Sequence, residues 1–275
     1  MQVTGPDCQS SRSLFVDDDC RIFAAVGECA RDPRRHAVGP RRASRHRAAH
    51  AAATVPIVKA VLSEGVPIVG TAPVTCPACG VEQDAQLVQS INTQKDPDHK
   101  TKLLAGELNV LACACGKRTQ LAAEVLFHDP IADYFCRVVP GGDDAMAHAA
   151  ELFRASGATG GQRLVPTLNA LVEKVKLLDA GLEDWAIEMT KVLLLASLGN
   201  EIDRVLLFHA ADPQAGVIQW VLFDEEGRKP ELMSSSLAAY EKLVVRTNAR
   251  PGARELRIDR AWAVEAVRQM ISNAN

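Results

Sequence analysis

Two close pairs of cysteines constrain this chain more than any other feature. They read Cys76-Pro77-Ala78-Cys79-Gly80 and Cys113-Ala114-Cys115-Gly116-Lys117. Zn2+ takes four ligands in a tetrahedron, and thiolates at about 2.3 Å satisfy it. A chain turn carrying two cysteines supplies two corners, and a glycine after each pair lets the backbone turn back under the metal. Two such knuckles close one site, with Cys76, Cys79, Cys113 and Cys115 as ligands. A site of four thiolates leaves no open position for water or substrate, so the metal is structural and contributes on the order of 10–16 kcal/mol to folding. The second pair is Cys-x-Cys, a tighter knuckle than Cys-x-x-Cys. It leaves open a mixed site, in which Cys115 and His128 complete the tetrahedron and Cys113 does not.

A redox reading competes. Cys76-Pro77-Ala78-Cys79 resembles the active pair of glutaredoxins, so a thiol oxidoreductase using Cys76 and Cys79 is an alternative function. A reactive cysteine there needs a helix N-terminus behind it. Gly80-Val81-Glu82-Gln83-Asp84 does not read as a strong helix, and the second pair has no role in that chemistry. The other four cysteines, Cys8, Cys20, Cys29 and Cys136, are scattered and read as ordinary thiols.

Around the cysteines the chain divides into three regions. Residues 1–70 read as a poorly ordered, Arg/Ala-rich extension: the first fifty residues hold nine Arg, no Lys and six acids. Few large apolar side chains are present there to offset the entropy of ordering. Residues 71–142 read as short strands around one helix, with strands expected over 86–92, 120–127 and 134–139. Asp96-Pro97 opens the helix, proline being tolerated in the first turn where its missing N–H costs nothing. The turn cluster Pro140-Gly141-Gly142-Asp143 places a boundary near 142. Residues 146–275 read as a helix-rich α/β unit. Leu168, Leu171, Val172, Val175 and Leu178 fall on one helical face. A second helix over 183–196 is expected to bury Trp185, Met189, Val192, Leu193 and Ala196. Strands are expected over 205–209, 217–224 and 254–258, with a turn at Glu226-Gly227. A helix over 237–244 follows, and Asp259 caps a last one over 260–271 with Ala263, Val267, Met270 and Ile271 inward. The fold class is therefore α+β, a zinc-ribbon-like module followed by an α/β domain.

Several motifs now stand in order: Cys76-Pro77-Ala78-Cys79-Gly80, Ser90-Ile91-Asn92, Asp96-Pro97, Lys102-Leu103-Leu104-Ala105-Gly106-Glu107-Leu108-Asn109, Cys113-Ala114-Cys115-Gly116 and Phe127-His128-Asp129. Together they resemble the CpXC domain family. Asn169–Lys174 and Ala180–Asp184 extend the likeness to about residue 200. The resemblance implies a bacterial protein with a zinc-ribbon-like module, and it supplies no activity.

The remaining candidates have plainer explanations. Asp129-Pro130 favours turn initiation, which explains His128-Asp129 better than an acid–base pair does. Asn92 satisfies a loop backbone. Gly157-Ala158-Thr159-Gly160-Gly161 lacks the Lys-Ser/Thr of a phosphate loop and reads as a linker. Asp224-Glu225-Glu226 reads as a solvated turn, and Glu183-Asp184 as negative charge at a helix N-terminus. Trp185, Trp220 and Trp262 read as core anchors. No segment has the ~20 apolar residues of a membrane span, no secretory signal is visible, and the location expected is cytoplasmic. With a closed metal site as the only distinctive chemistry, the leading function is a non-enzymatic module that binds an unknown protein partner. Nucleic-acid binding is the second reading, from Lys95, Lys100, Lys102, Lys117 and Arg118. The net charge of −3 gives it no electrostatic footprint. An enzyme would need a site in residues 146–275 that the sequence does not display.

Overall fold

The computed structural model describes residues 14–16, 22–24 and 68–273, apart from 158, 200–202, 225–228 and 253–254. The extension expected over 1–70 and the turn at Glu226-Gly227 lie almost wholly outside the described residues. Within the described residues of the extension, β1 (Leu14–Val16) pairs antiparallel with β2 (Ile22–Ala24).

The architecture is α+β. Two hairpins carry the cysteine pairs. β3 (Val69–Thr75) and β4 (Glu82–Val88) form the first, and β6 (Val110–Ala112) and β7 (Arg118–Gln120) the second. Between them lie β5 (Ser90–Asn92) and α1 (Pro97–Leu104), the latter with proline in its first turn as the sequence leads one to expect. β5 joins a four-stranded mixed sheet with β8 (Val125–Asp129), β9 (Tyr134–Val138) and β10 (Gly161–Val165), in the order β10-β9-β8-β5. The outer pairs are parallel and the central pair antiparallel.

Two of the expected strands are each broken in two. The strand expected over 86–92 ends at Val88, and Gln89 passes the chain from the hairpin to the sheet. Its N–H donates to the Ile68 carbonyl, and its own carbonyl accepts from the Leu126 N–H. The strand expected over 120–127 is interrupted at 121–124, so Gln120 stays with the second hairpin while Val125 starts the sheet.

The Pro140–Asp143 cluster turns the chain into α2 (Gly142–Ala155), which the sequence reading passed over. Its signal is Met146, Ala149 and Phe153 at helical spacing, all buried, behind Asp143 and Asp144 in the first turn. α2 returns the chain to β10, which runs parallel to β9. The four-stranded sheet therefore continues beyond residue 146. The glycine stretch before it is not a free linker: Gly161 opens β10, and a Cβ on Gly160 would stand 2.2 Å from the Asp133 carbonyl oxygen.

The helices α3 (Leu168–Asp179) and α4 (Asp184–Ser197) follow. Leu168, Leu171 and Val175 pack into one core with Ile91, Leu103, Val125, Phe127 and Val138. Leu177, on another side of α3, belongs to a second core with Trp185, Ile187 and Met189 of α4. That second core also holds Phe208 of β11 (Leu206–Asp212), Ile218 and Trp220 of β12 (Val217–Phe223) and Tyr240 of α5 (Leu237–Arg246). β11 and β12 form a separate three-stranded antiparallel sheet with β13 (Pro230–Ser236), an edge strand that the sequence reading missed. The final helix, α6 (Arg260–Ser272), is capped by Asp259, whose carboxylate accepts from the Trp262 N–H at 3.1 Å. Trp185 and Trp220 are core anchors as expected, and Trp262 is half-buried. Three residues expected inward face solvent instead: Leu193, Ala196 and Ile271, with Leu195 taking the buried place on α4. Residues 255–258 form no strand; the Leu164 N–H donating to the Leu256 carbonyl helps tie them to the four-stranded sheet.

Candidate metal centre

Each hairpin tip is a backbone knuckle. In the first, the Cys76 N–H donates to the Val81 carbonyl and the Gly80 N–H to the Cys76 carbonyl, both at 2.9 Å. The second repeats the scheme, Cys113 with Lys117 and Gly116 with Cys113. Gly80 and Gly116 have φ of +73° and +87°, the left-handed region where glycine carries no Cβ penalty. The shortened Cys-x-Cys spacing is accommodated by this tighter turn.

The four sulfurs converge. Their ligand atoms all lie within 4.8 Å of one another. Cys76 Sγ is 3.8 Å from Cys115 Sγ, and Cys79 Sγ is 3.6 Å from Cys113 Sγ. A tetrahedron with metal–sulfur bonds of about 2.3 Å has edges of about 3.8 Å, whereas a disulfide bond is about 2.05 Å long. The sulfurs are thus spaced for a shared central ion, and the four cysteines are compatible with binding one.

The electrostatics agree. The Cys79 and Ala78 N–H groups point at the Cys76 sulfur and lower its pKa to about 6. The Val81 N–H pulls the neighbouring thiol of Cys79 down, but the Cys113, Cys76 and Cys115 sulfurs crowding it push it up to about 12. Four sulfurs this close cannot all be thiolates without a cation among them, because each negative charge opposes the next.

Residues 74–191 match the CpXC protein family. No curated protein and no solved structure matches the chain. The CpXC match begins just before Cys76 and ends at Lys191 within α4, covering both knuckles, the four-stranded sheet and α3. It bears out the resemblance carried by the ordered motifs.

Most of the CpXC motifs outside the knuckles have structural tasks. Ser90 Oγ accepts from the Ile68 N–H at 2.7 Å. Asn92 Oδ1 accepts from the Gln94 and Lys95 N–H groups, as a loop-satisfying asparagine should. Asn109 brackets Val88, accepting from its N–H at 2.8 Å and donating to its carbonyl at 3.0 Å. It therefore joins the base of the first hairpin to the start of the second, a role the sequence reading did not assign.

His128 stands apart from the sulfurs. It stacks on Phe135 with ring centroids 4.1 Å apart, and burial lowers its pKa. It is not among the clustered ligand groups, whereas Cys113 is. Asp129 begins the expected turn, accepting from the Ile131 and Ala132 N–H groups. Behind Cys79 the chain enters strand β4 and not a helix.

A second polar cluster lies beneath α3. Asp184 takes both Arg163 Nε and Nη2, at 2.7 and 2.9 Å, and the Lys174 ammonium at 2.8 Å. Lys174 also donates to the Ile258 carbonyl. Despite the cost of burying Asp184, these two cations lower its pKa to about 2. Its place at a helix start was legible in the sequence, but its partners from β10 and α3 were not.

Proposed function

We propose that Cys76, Cys79, Cys113 and Cys115 hold one structural zinc ion, and that the protein is a non-enzymatic protein-interaction module built on that centre. The spacing of the sulfurs carries the metal reading, because 3.6 and 3.8 Å match the edge of a zinc–thiolate tetrahedron. Zinc in this site would supply charge neutralisation and a fixed geometry, and a full set of protein thiolates would leave it no position for substrate. The sulfurs would hold the hairpins as a rigid platform, with the α/β region after the sheet offering the recognition surface for a protein partner. Thiolate ligation also supports a reducing, cytoplasmic location. No helix among the described residues is long and apolar enough to cross a membrane.

Elemental analysis of protein purified under reducing conditions tests the metal reading. Wild type is expected to carry about one zinc per chain, and Cys76→Ser and Cys113→Ser to lose it together with the folded hairpins. Full zinc in Cys113→Ser would contradict the four-cysteine set. Affinity capture with the zinc-loaded chain tests the interaction reading. It is expected to recover a protein that the Cys76→Ser chain does not.

One observation favours nucleic acid as a second reading. Lys95, Lys102, Lys117 and Arg118 are exposed, while Lys100 is engaged by Asp179 at 2.6 Å. Glu82 and Asp84 are also exposed on β4 and weaken this footprint. Binding that falls steeply with salt would support nucleic acid, and none at low salt would end the reading.

A further inference from the structure

The four sulfurs are not equivalent. Cys76 and Cys113 are buried, at 1% and 9% exposure, whereas Cys79 and Cys115 are exposed. Each short sulfur contact joins one exposed cysteine to one buried cysteine, and each crosses between the hairpins: Cys79 with Cys113 at 3.6 Å, Cys115 with Cys76 at 3.8 Å. The β3–β4 and β6–β7 pairs form separate two-stranded sheets. At their base Asn109 links them, and at their tips the sulfurs do.

From this arrangement, and resting on the metal reading above, we propose that the centre is a peroxide-sensitive switch between two clamped states. In one state zinc holds the hairpin tips. In the other, disulfides Cys79–Cys113 and Cys76–Cys115 hold them and zinc is free.

Hydrogen peroxide is the oxidant. An exposed thiolate, Cys79 or Cys115, attacks one peroxide oxygen; the O–O bond breaks, giving a sulfenic acid and hydroxide. The buried cysteine across the gap attacks that sulfenic sulfur, forms the S–S bond and expels a second hydroxide. Protons from solvent convert both hydroxides to water. Each disulfide delivers two electrons to one peroxide, so two peroxides and four protons yield two disulfides, four waters and one Zn2+. Each pair closes from under 4 Å to the disulfide length of about 2.05 Å, and both bonds run between the hairpins. Oxidation thus exchanges one clamp for another, whereas a chelator removes the clamp altogether.

The test uses the full-length zinc-loaded chain carrying Cys8→Ser, Cys20→Ser and Cys29→Ser, so that only the cluster and Cys136 remain. Zinc release is followed with a chromogenic zinc indicator during a peroxide titration. The linkages are then mapped by mass spectrometry of the unreduced digest. The expected result is one zinc released per about two peroxides, with Cys79–Cys113 and Cys76–Cys115 linkages. Cys136 is fully buried and is expected to stay a thiol. Zinc retained through a tenfold peroxide excess, or linkages Cys76–Cys79 and Cys113–Cys115, would overturn the proposal. A chain that never contains zinc would instead defeat the metal reading, and the pairing would still be read from the disulfide map of that protein.

Discussion

At the residue scale, the charge cluster around Asp184 ties the stability of the molecule to acid. Asp184 sits between Arg163 and Lys174, which hold its carboxyl down to about 2, below the usual carboxylate range. A depressed carboxylate contributes stability that is present above its unfolded pKa and lost as pH falls through the folded one. Denaturant titrations are expected to show this contribution fading between about pH 4 and pH 2, and Asp184→Asn is expected to abolish that part of the pH dependence. At neutral pH, Asp184→Ala leaves the buried Lys174 and the half-buried Arg163 without a counter-ion, and a loss of about 3–5 kcal/mol is expected in urea unfolding. A loss below about 1 kcal/mol would mean that water already compensates the pair. This triad was invisible in the sequence because its members are ten or more residues apart on three different elements. The cysteines were legible because metal ligation uses short, fixed spacings, and Asn92, Asp129 and Asp259 because their bonds are local.

At the scale of the element, the hairpins depend on one side chain at their base as well as the sulfurs at their tips. Asn109, at φ +54° and 6% exposed, substitutes for a strand neighbour of Val88. Asn109→Ala leaves the N–H and carbonyl of the half-buried Val88 without these partners, which costs about 1–3 kcal/mol. Faster amide exchange at Val88 is the expected signature, and unchanged exchange there would show that the bracket is dispensable. The elements that escaped sequence reading share a physical reason. β13 lies at an edge, and Leu232 on its outer face is 74% exposed, so its alternation is weak. α2 was hidden behind two glycines that read as a boundary. The expected strands over 86–92 and 120–127 each have a continuous pattern, but the backbone changes sheets at 89 and at 121–124. A periodicity does not reveal which partner a strand will take.

At the scale of the whole molecule, α3 faces two cores. Leu171 and Val175 pack against the sheet that follows the knuckles, and Leu177 packs with α4 and β12. Leu164 of β10 packs in turn with Leu126 and Phe135 of the central strands. A fragment ending at residue 145 lacks Leu164, Val165, Leu168, Leu171 and Val175. It is expected to give poorly dispersed amide spectra even with zinc, whereas residues 68–275 are expected to give a single cooperative transition. A well-dispersed, zinc-loaded fragment 68–145 would show that the knuckles and inner strands suffice alone.

All three scales meet at the sulfur cluster, so the most direct measurement is X-ray absorption at the zinc edge on the purified, reduced protein. A single shell of four sulfurs at about 2.3 Å is expected. A shell with nitrogen at about 2.0–2.1 Å beside three sulfurs, or no zinc in the sample, would contradict it.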